Sequence, residues 1–386
     1  MRSPRSSEAL ALLLAALISA AAASAQDAPD EFELLEPVLQ AAVARAAPSV
    51  VAVETFGGTR RALTGDGPSP GGQTPAPPPG KRLPPRKPRL ETPGFHQTRG
   101  RTTGVVLTED GWILVSRFSL NFDPTTILVT LADGATYHAT RAGEDTSRGI
   151  ALVKIGAKGL PVPEFVDPDE VRVGQWAFAL GRTFGIGEPT VNIGIVSAKR
   201  RQFGRALQID AYTSPSNYGG AVVDVRGRVL GVAVPLSPSG RDAGVEWYDS
   251  GIGFAATIAD IGGLLERMKR GEVLHRGWLG IAMEPSFLGP GAKLQNVPRG
   301  SVADKAGLRR GDVVVAVDGT KVRNSFHLQV MVSSRMGGDP VTLDVERRRG
   351  LGRVSMTVIL AETPIEEQKP REEPDTPATF PLPEGK

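Results

Sequence analysis

The feature that most limits what this chain can fold into is the heptapeptide Ser214-Pro215-Ser216-Asn217-Tyr218-Gly219-Gly220. An apolar run, Leu207 to Ala211, precedes it, and another, Ala221 to Val225, follows it. Short apolar runs on either side of a polar segment read as two buried strands joined by a turn. The Gly-Gly pair lets the backbone bend where a side chain would obstruct it. A backbone bent this tightly projects one side chain ahead of the glycine pair. The side chain in that position is Tyr218.

The rest of the composition narrows the chemistry. At 386 residues, 40% hydrophobic and 23% charged, the chain has room for two globular domains plus tails. Basic residues number 45 against 42 acidic, a net charge of +3, too weak to argue for a nucleic-acid partner. Cysteine is absent, which excludes a disulfide framework, a thiolate nucleophile and a thiolate metal site. The four histidines, His96, His138, His275 and His327, are scattered without metal spacing. No phosphate-binding glycine loop stands at a strand-to-helix junction, so neither metal nor cofactor is expected.

Taken in order, residues 1–25 read as a signal peptide: Arg2 and Arg5, an apolar stretch from Ala9 to Ala22, then Ala23-Ser24-Ala25 as a cleavage site. A retained anchor is the alternative, though the stretch is short for a membrane span. Either way the chain is expected to be exported. Residues 26–56 hold a helix, periodic through Leu35, Val38, Leu39, Ala42 and Val43 and stopped by Pro48, then a first strand from Val50. Residues 57–100 form a Pro/Gly-rich insertion with five basic and no acidic residues between Lys81 and Arg89. Such a segment buries too little apolar surface to fold, and reads as a solvated linker or a basic arm for an anionic surface.

From 101 to 256 short β-rich runs recur between turn signals, as in Ile127 to Leu131, Ile150 to Ile155 and Val229 to Val234. That spacing predicts a barrel or sandwich. A linker helix is expected within 257–274, with Ile258, Ile261, Leu264, Leu265 and Met268 in register and Gly271 as its stop. Residues 275–361 form a second unit, with a loop over Val302 to Leu308, a helix over Phe326 to Ser334 and closing strands at Val341 to Val345 and Val354 to Leu360. The Pro/Glu-rich tail, 362–386, reads as disordered.

The order of these motifs resembles the HtrA/Deg family of exported serine proteases over roughly residues 35–360. Gly181-Arg182-Thr183-Phe184-Gly185 through Val196-Ser197-Ala198 is similar to the loop and strand ahead of that family's nucleophile. Arg276-Gly277-Trp278-Leu279-Gly280-Ile281 is similar to the opening of its second domain. The resemblance implies a mainly β fold, a chymotrypsin-like double β-barrel followed by a C-terminal PDZ domain. It also implies a trimer as the usual assembly.

Residue by residue, the triad positions depart from the family. Its histidine follows a Gly-x-Ile-Leu-Thr-Asn run; here Gly111-Trp112-Ile113-Leu114-Val115-Ser116-Arg117 leads to Phe118. Its aspartate opens a strand that here begins Gly149-Ile150-Ala151-Leu152-Val153-Lys154-Ile155. Its nucleophile position holds Tyr218, and Ser216 replaces a glycine whose amide builds the oxyanion hole. Serine needs a base within hydrogen-bond reach to lose its proton, and a phenyl ring is no base. The expectation is no catalytic residue at these degenerate positions, hence a pseudoprotease and not an enzyme. Phe118 and Tyr218 are expected to fill the cleft that the triad leaves, since Gly149 removes a carboxylate that would be buried unpaired. Rescue by His138, by Ser119, Ser214 or Ser216, or by a Ser-Lys dyad through Lys154 is the less expected course.

The second unit keeps its parts. The family resemblance assigns Trp278, Leu279, Gly280 and Ile281 to the loop whose amides take a peptide's terminal carboxylate, with the peptide added as a strand. The plain alternative makes Trp278 and Ile281 ordinary core residues. The expected partners are polypeptide C-termini or unfolded proteins, and an active protease relative, in envelope quality control or as scaffold. The competing readings are an active serine-type endopeptidase with a displaced site, and an envelope-associated structural protein using the basic arm.

Overall fold

A computed structural model of the protein describes residues 31–56, 101–121, 123–184, 187–236, 251–259, 261–347 and 352–363. The proposed signal segment 1–25, the insertion 57–100 and all of the tail 362–386 but its first two residues lie outside the described residues; Glu362, read as disordered, instead pairs with Gly277 in a short strand. The chain divides into two units between Leu274 and His275.

The first unit opens with helix α1 (Glu31–Ala46), a few residues longer at its start than the apolar spacing predicts. A short 3-10 turn containing Pro48 ends it, because proline has no N–H to continue the ladder. Six strands then close on themselves: β1 (Val50–Phe56), β2 (Arg101–Val106), β3 (Trp112–Ser116), β4 (Thr126–Thr130), β5 (Thr136–Asp145) and β6 (Ile150–Lys154). Their order is β5-β4-β1-β2-β3-β6, with β5 also pairing β6. Alternation sends Val51, Val53, Ile113, Val115, Ile127, Val129 and Val153 into the barrel. Closure leaves this sheet without an open edge among those strands.

A second closed barrel follows, in the order β10-β11-β12-β9-β8-β7. Its strands are β7 (Trp176–Gly181), β8 (Thr190–Arg200), β9 (Ala206–Ile209), β10 (Ala221–Val223), β11 (Val229–Val234) and β12 (Gly253–Ala256). Small residues such as Ala177, Ala179, Ala233 and Ala255 fill its interior beside Leu207, Ile209, Val222 and Leu230. The two barrels realise the mainly β, double-barrel expectation. Helix α2 (Gly262–Lys269) starts later than its spacing predicts. Thr257 gives its N–H and hydroxyl to the Arg205 carbonyl, which holds 257 out of a helix. Strand β13 (Val273–Leu274) then adds to β5 in parallel.

The second unit is a small sheet with helices. It contains β14 (Gly277–Trp278), β15 (Ala282–Met283), β16 (Ala292–Asn296), α3 (Val302–Lys305), β17 (Val313–Val317) and β18 (Thr320–Lys321). Helix α4 (Ser325–Ser333) and strands β19 (Pro340–Glu346), β20 (Arg353–Ile359) and β21 (Ala361–Glu362) complete it. The segment read as a loop over 302–308 is in part a helical turn, because the Ser301 hydroxyl accepts from the Asp304 N–H and caps it. Leu279, Leu294, Leu308, Val314, Leu328, Leu343 and Val358 form the core. Strand β15 lies at one end of the sheet path, paired only to β16.

Candidate functional sites

The Ser214–Gly220 segment lies between β9 and β10, as its flanking apolar runs predict. Its backbone bonds inward. Asn217 N–H and Tyr218 N–H both donate to the Ser214 carbonyl (3.0 and 3.1 Å), and Gly220 N–H donates to the Asn217 carbonyl (2.9 Å). Gly219 N–H donates across to the Ala233 carbonyl in β11 (2.8 Å). The Asn217 side chain ties the turn further, accepting from Ser214 N–H and donating to the Tyr212 carbonyl. Four successive amides are thus engaged, whereas an oxyanion hole needs donors aimed at an unfilled position.

Tyr218 is buried, 3% exposed, and its ring meets Phe118, itself 5% exposed. The centroids are 5.4 Å apart with the planes at 79°, an edge-to-face pair. Phe118 sits on a 3-10 turn after β3, where Ser116 Oγ accepts its N–H. Gly149 is adjacent: its carbonyl accepts from Arg117 N–H at 2.9 Å. It has φ +71°, and a Cβ placed there would lie 3.7–3.9 Å from Leu236 and Val234 side chains. The structure therefore brings positions 118, 149 and 218 together. The carboxylates nearby are occupied. Asp145, fully buried, accepts from Ser147 N–H and Oγ, from Arg148 N–H and from the Arg148 guanidinium. Glu144 holds Arg117 and Arg141.

The other candidate groups are placed as follows. Ser119 Oγ is buried against Thr102 Oγ1 at 2.7 Å. Ser214 Oγ and Ser216 Oγ lie 2.7 Å apart, half-buried, within the turn itself. Lys154 stands at the far end of the β3–β6 ladder, opposite Trp112, and pairs with Asp110 at 2.7 Å. The Lys154 ammonium and the Thr108 hydroxyl hold the Asp110 carboxyl at about 2. His138 lies on β5 opposite Leu128. Among the described residues no group of His, Cys, Asp and Glu is arranged to hold a metal.

One participant that the sequence reading did not single out is Arg182, the charged residue directly after β7. It is 3% exposed and reaches back to carbonyls at the end of α1 and the start of β1. Burial pushes its guanidinium below the usual arginine range, with Glu188 acting in the opposite sense. An arginine at the end of a fully apolar strand was the visible signal.

In the second unit, Leu279 is buried and its carbonyl accepts from Ala303 N–H at 3.3 Å. Gly280 has φ +70°, and a Cβ there would come within 2.9 Å of Ser301 and 3.2 Å of the Trp278 ring. Only glycine fits so close a turn at positive φ. The amides of Leu279, Gly280 and Ile281 donate to no group among the described residues. They immediately precede β15, whose second edge has no strand partner among the described residues, and Ile281 and Met283 pack at the rim of the core.

Comparisons with known proteins bear on both units. Residues 102–232 match the trypsin-like peptidase domain model, and residues 296–347 match the PDZ domain model. A probable periplasmic serine endoprotease, DegP-like, from Chlamydia muridarum is 34% identical over 274 residues, covering 67% of this chain and 54% of that protein. A protein of the same description from Bartonella henselae is 32% identical over 260 residues, covering 63% of this chain and 50% of that protein. The chain thus spans about half the length of these curated relatives. Among solved structures, the HtrA-type protease AlgW with decapeptide aligns with TM-score 0.61 at 25% identity, covering 85% of this chain and 99% of that one. The serine endoprotease from Yersinia pestis aligns with TM-score 0.57 at 25% identity, covering 84% and 98%.

These relatives correct one expectation. Positions 118, 149 and 218 alone predict a pseudoprotease and no enzyme, yet the proteins this chain resembles are named serine endoproteases and HtrA-type proteases. The physical reason is that replacing three side chains leaves other hydroxyls in the same turn, those of Ser214 and Ser216.

Proposed function

The chain belongs to the HtrA/Deg family, and from that premise we propose that it is a periplasmic polypeptide-handling protein of the serine endoprotease type, with its PDZ domain taking hold of free C-termini. The observation that carries the capture step is the run of amides at Leu279, Gly280 and Ile281 with no donor–acceptor partner among the described residues, beside the open edge of β15. A terminal carboxylate accepts from those amides, and the peptide backbone continues as a strand on β15. Main-chain pairing makes few sequence demands, so preference rests on the last side chain, which meets Ile281 and Met283 and is apolar. Envelope protein quality control is the setting this chemistry suits, acting on unfolded chains or beside an active protease relative.

The test is a titration of the full chain with a fluorescent peptide ending in an apolar residue, free or amidated. The expected affinity for the free peptide is about micromolar, about −8 kcal/mol. Amidation removes the anion and is expected to weaken binding by about tenfold or more. Equal affinity for both peptides overturns carboxylate capture.

A second reading, peptide-bond hydrolysis from a displaced nucleophile, is favoured by the endoprotease relatives and by the paired hydroxyls of Ser214 and Ser216. Positions 118, 149 and 218 then serve packing, and the reacting hydroxyl lies elsewhere in the turn. The check is a serine-directed phosphonate with peptide mapping, run beside hydrolysis of an unfolded protein. Label on Ser214 or Ser216 together with turnover supports it. No label and no turnover overturn it.

A further inference from the structure

Arg182 holds three carbonyls at once: Nε donates to Val50 O at 2.7 Å, Nη2 to Ala47 O at 2.9 Å, and Nη1 to Gly187 O. Its side chain therefore fixes the backbone at 182 against the α1–β1 junction. From that position Arg182 N–H donates to Thr103 Oγ1 at 2.9 Å. A hydroxyl has one proton, and with a lone pair taken by this N–H, Thr103 Oγ1 gives that proton to the Ser216 carbonyl at 2.9 Å. Thr103 also donates its own N–H to the Tyr218 carbonyl at 3.2 Å. Its carbonyl lies against Gly219, where an added Cβ would sit 2.0 Å from the oxygen. One strand residue thus touches the turn at Ser216, Tyr218 and Gly219.

We infer that Arg182 is the positioning residue of the Ser214–Gly220 turn, acting through Thr103, so that the α1–β1 junction and the turn move as one piece. A buried guanidinium is costly to keep, and this relay gives it a role that α1 packing alone does not. The inference rests on the turn being the first unit's working site, but its test reads the turn directly and needs no catalysis.

The experiment is amide hydrogen exchange by mass spectrometry on the full chain carrying Arg182→Met, Arg182→Lys, Thr103→Val or Thr103→Ser. Exchange at residues 217–220 is expected to rise about tenfold or more in Arg182→Met and in Thr103→Val. Thr103→Ser keeps the hydroxyl and is expected to stay near wild type. Arg182→Lys cannot fork to two carbonyls and is expected to fall between. The double Arg182→Met, Thr103→Val variant is expected to exceed neither single by more than about twofold, because both cut one relay. Faster exchange confined to residues 47–56 and 183–184, with 217–220 unchanged, makes Arg182 merely structural and overturns the inference. Should Arg182→Met fail to fold, the Thr103 pair decides: equal exchange at 217–220 in Thr103→Val and Thr103→Ser overturns it. Absence of hydrolysis with the expected exchange pattern counts against the second functional reading alone and leaves the relay supported.

Discussion

The turn before β10 and the loop before β15 each bend at a glycine with positive φ, yet they treat their amides in opposite ways. In Ser214–Gly220 the four N–H groups of residues 217–220 are bonded to carbonyls of the chain. In Trp278–Ile281 the last three N–H groups have no partner among the described residues. The first region is closed around an aromatic pair, the second faces an open strand edge. What separates them is what the backbone bonds to and not the glycine conformation: Gly219 and Gly280 both stand at positive φ, and an added Cβ would lie 2.0 Å from the Thr103 carbonyl oxygen at the first and 2.9 Å from the Ser301 side chain at the second.

The largest expected effect breaks the closed side. Phe118→Ala removes a buried ring and its edge-to-face partner contact, and is expected to cost about 3–5 kcal/mol, read from denaturant unfolding followed by tryptophan fluorescence. A loss below about 1 kcal/mol would mean that the pair is loosely packed.

Next, Gly280→Val attacks the open side. Its Cβ meets Ser301 and the Trp278 ring, so the loop has to shift. Peptide affinity is expected to fall by about a hundredfold, about 2.7 kcal/mol, with circular dichroism unchanged. Retained affinity would place the carboxylate elsewhere.

Position by position, rebuilding the triad geometry is a smaller perturbation. Phe118→His with Gly149→Asp and Tyr218→Ser is expected to destabilise by roughly 1–3 kcal/mol per polar insertion. Little hydrolysis is expected at residue 218 itself, because the amides around it remain engaged. High turnover from Tyr218→Ser alone would reveal a base that the geometry hides.

The smallest effect concerns Lys154. Its partner Asp110 titrates near 2, below the ordinary aspartate value, so their pairing adds stability above the unfolded value that is lost as pH falls towards 2. Asp110→Asn is expected to flatten that acid limb slightly while leaving peptide binding unchanged, as measured by thermal unfolding between about pH 4 and 2. A change in hydrolysis instead would give Lys154 a role in chemistry.

Much of this was legible beforehand. Turn signals and alternating apolar residues place the runs at Ile127–Leu131, Ile150–Ile155, Val229–Val234, Val341–Val345 and Val354–Leu360 within a residue of β4, β6, β11, β19 and β20, because register errors would expose residues such as Val129 or Val153 to water. The meeting of residues 118, 149 and 218, some 100 positions apart in sequence, was legible only through the family resemblance. Two features escaped. The cap at Ser301 makes a helical turn within the segment read as a loop over Val302 to Leu308. The Arg182 relay depends on carbonyls at Ala47 and Val50, which carry no side-chain signature. The activity inference also exceeded what three positions can decide, as the endoprotease relatives show.

The contrast between closed and open amides is tested most directly by residue-resolved amide exchange on the full chain, with and without a peptide bearing a free, apolar C-terminus. The expected result is slow exchange at residues 217–220 in both states, and fast exchange at Leu279, Gly280 and Ile281 that slows when peptide is added. Fast exchange at 217–220 in the free protein, or peptide protection there with none at 279–281, would contradict it.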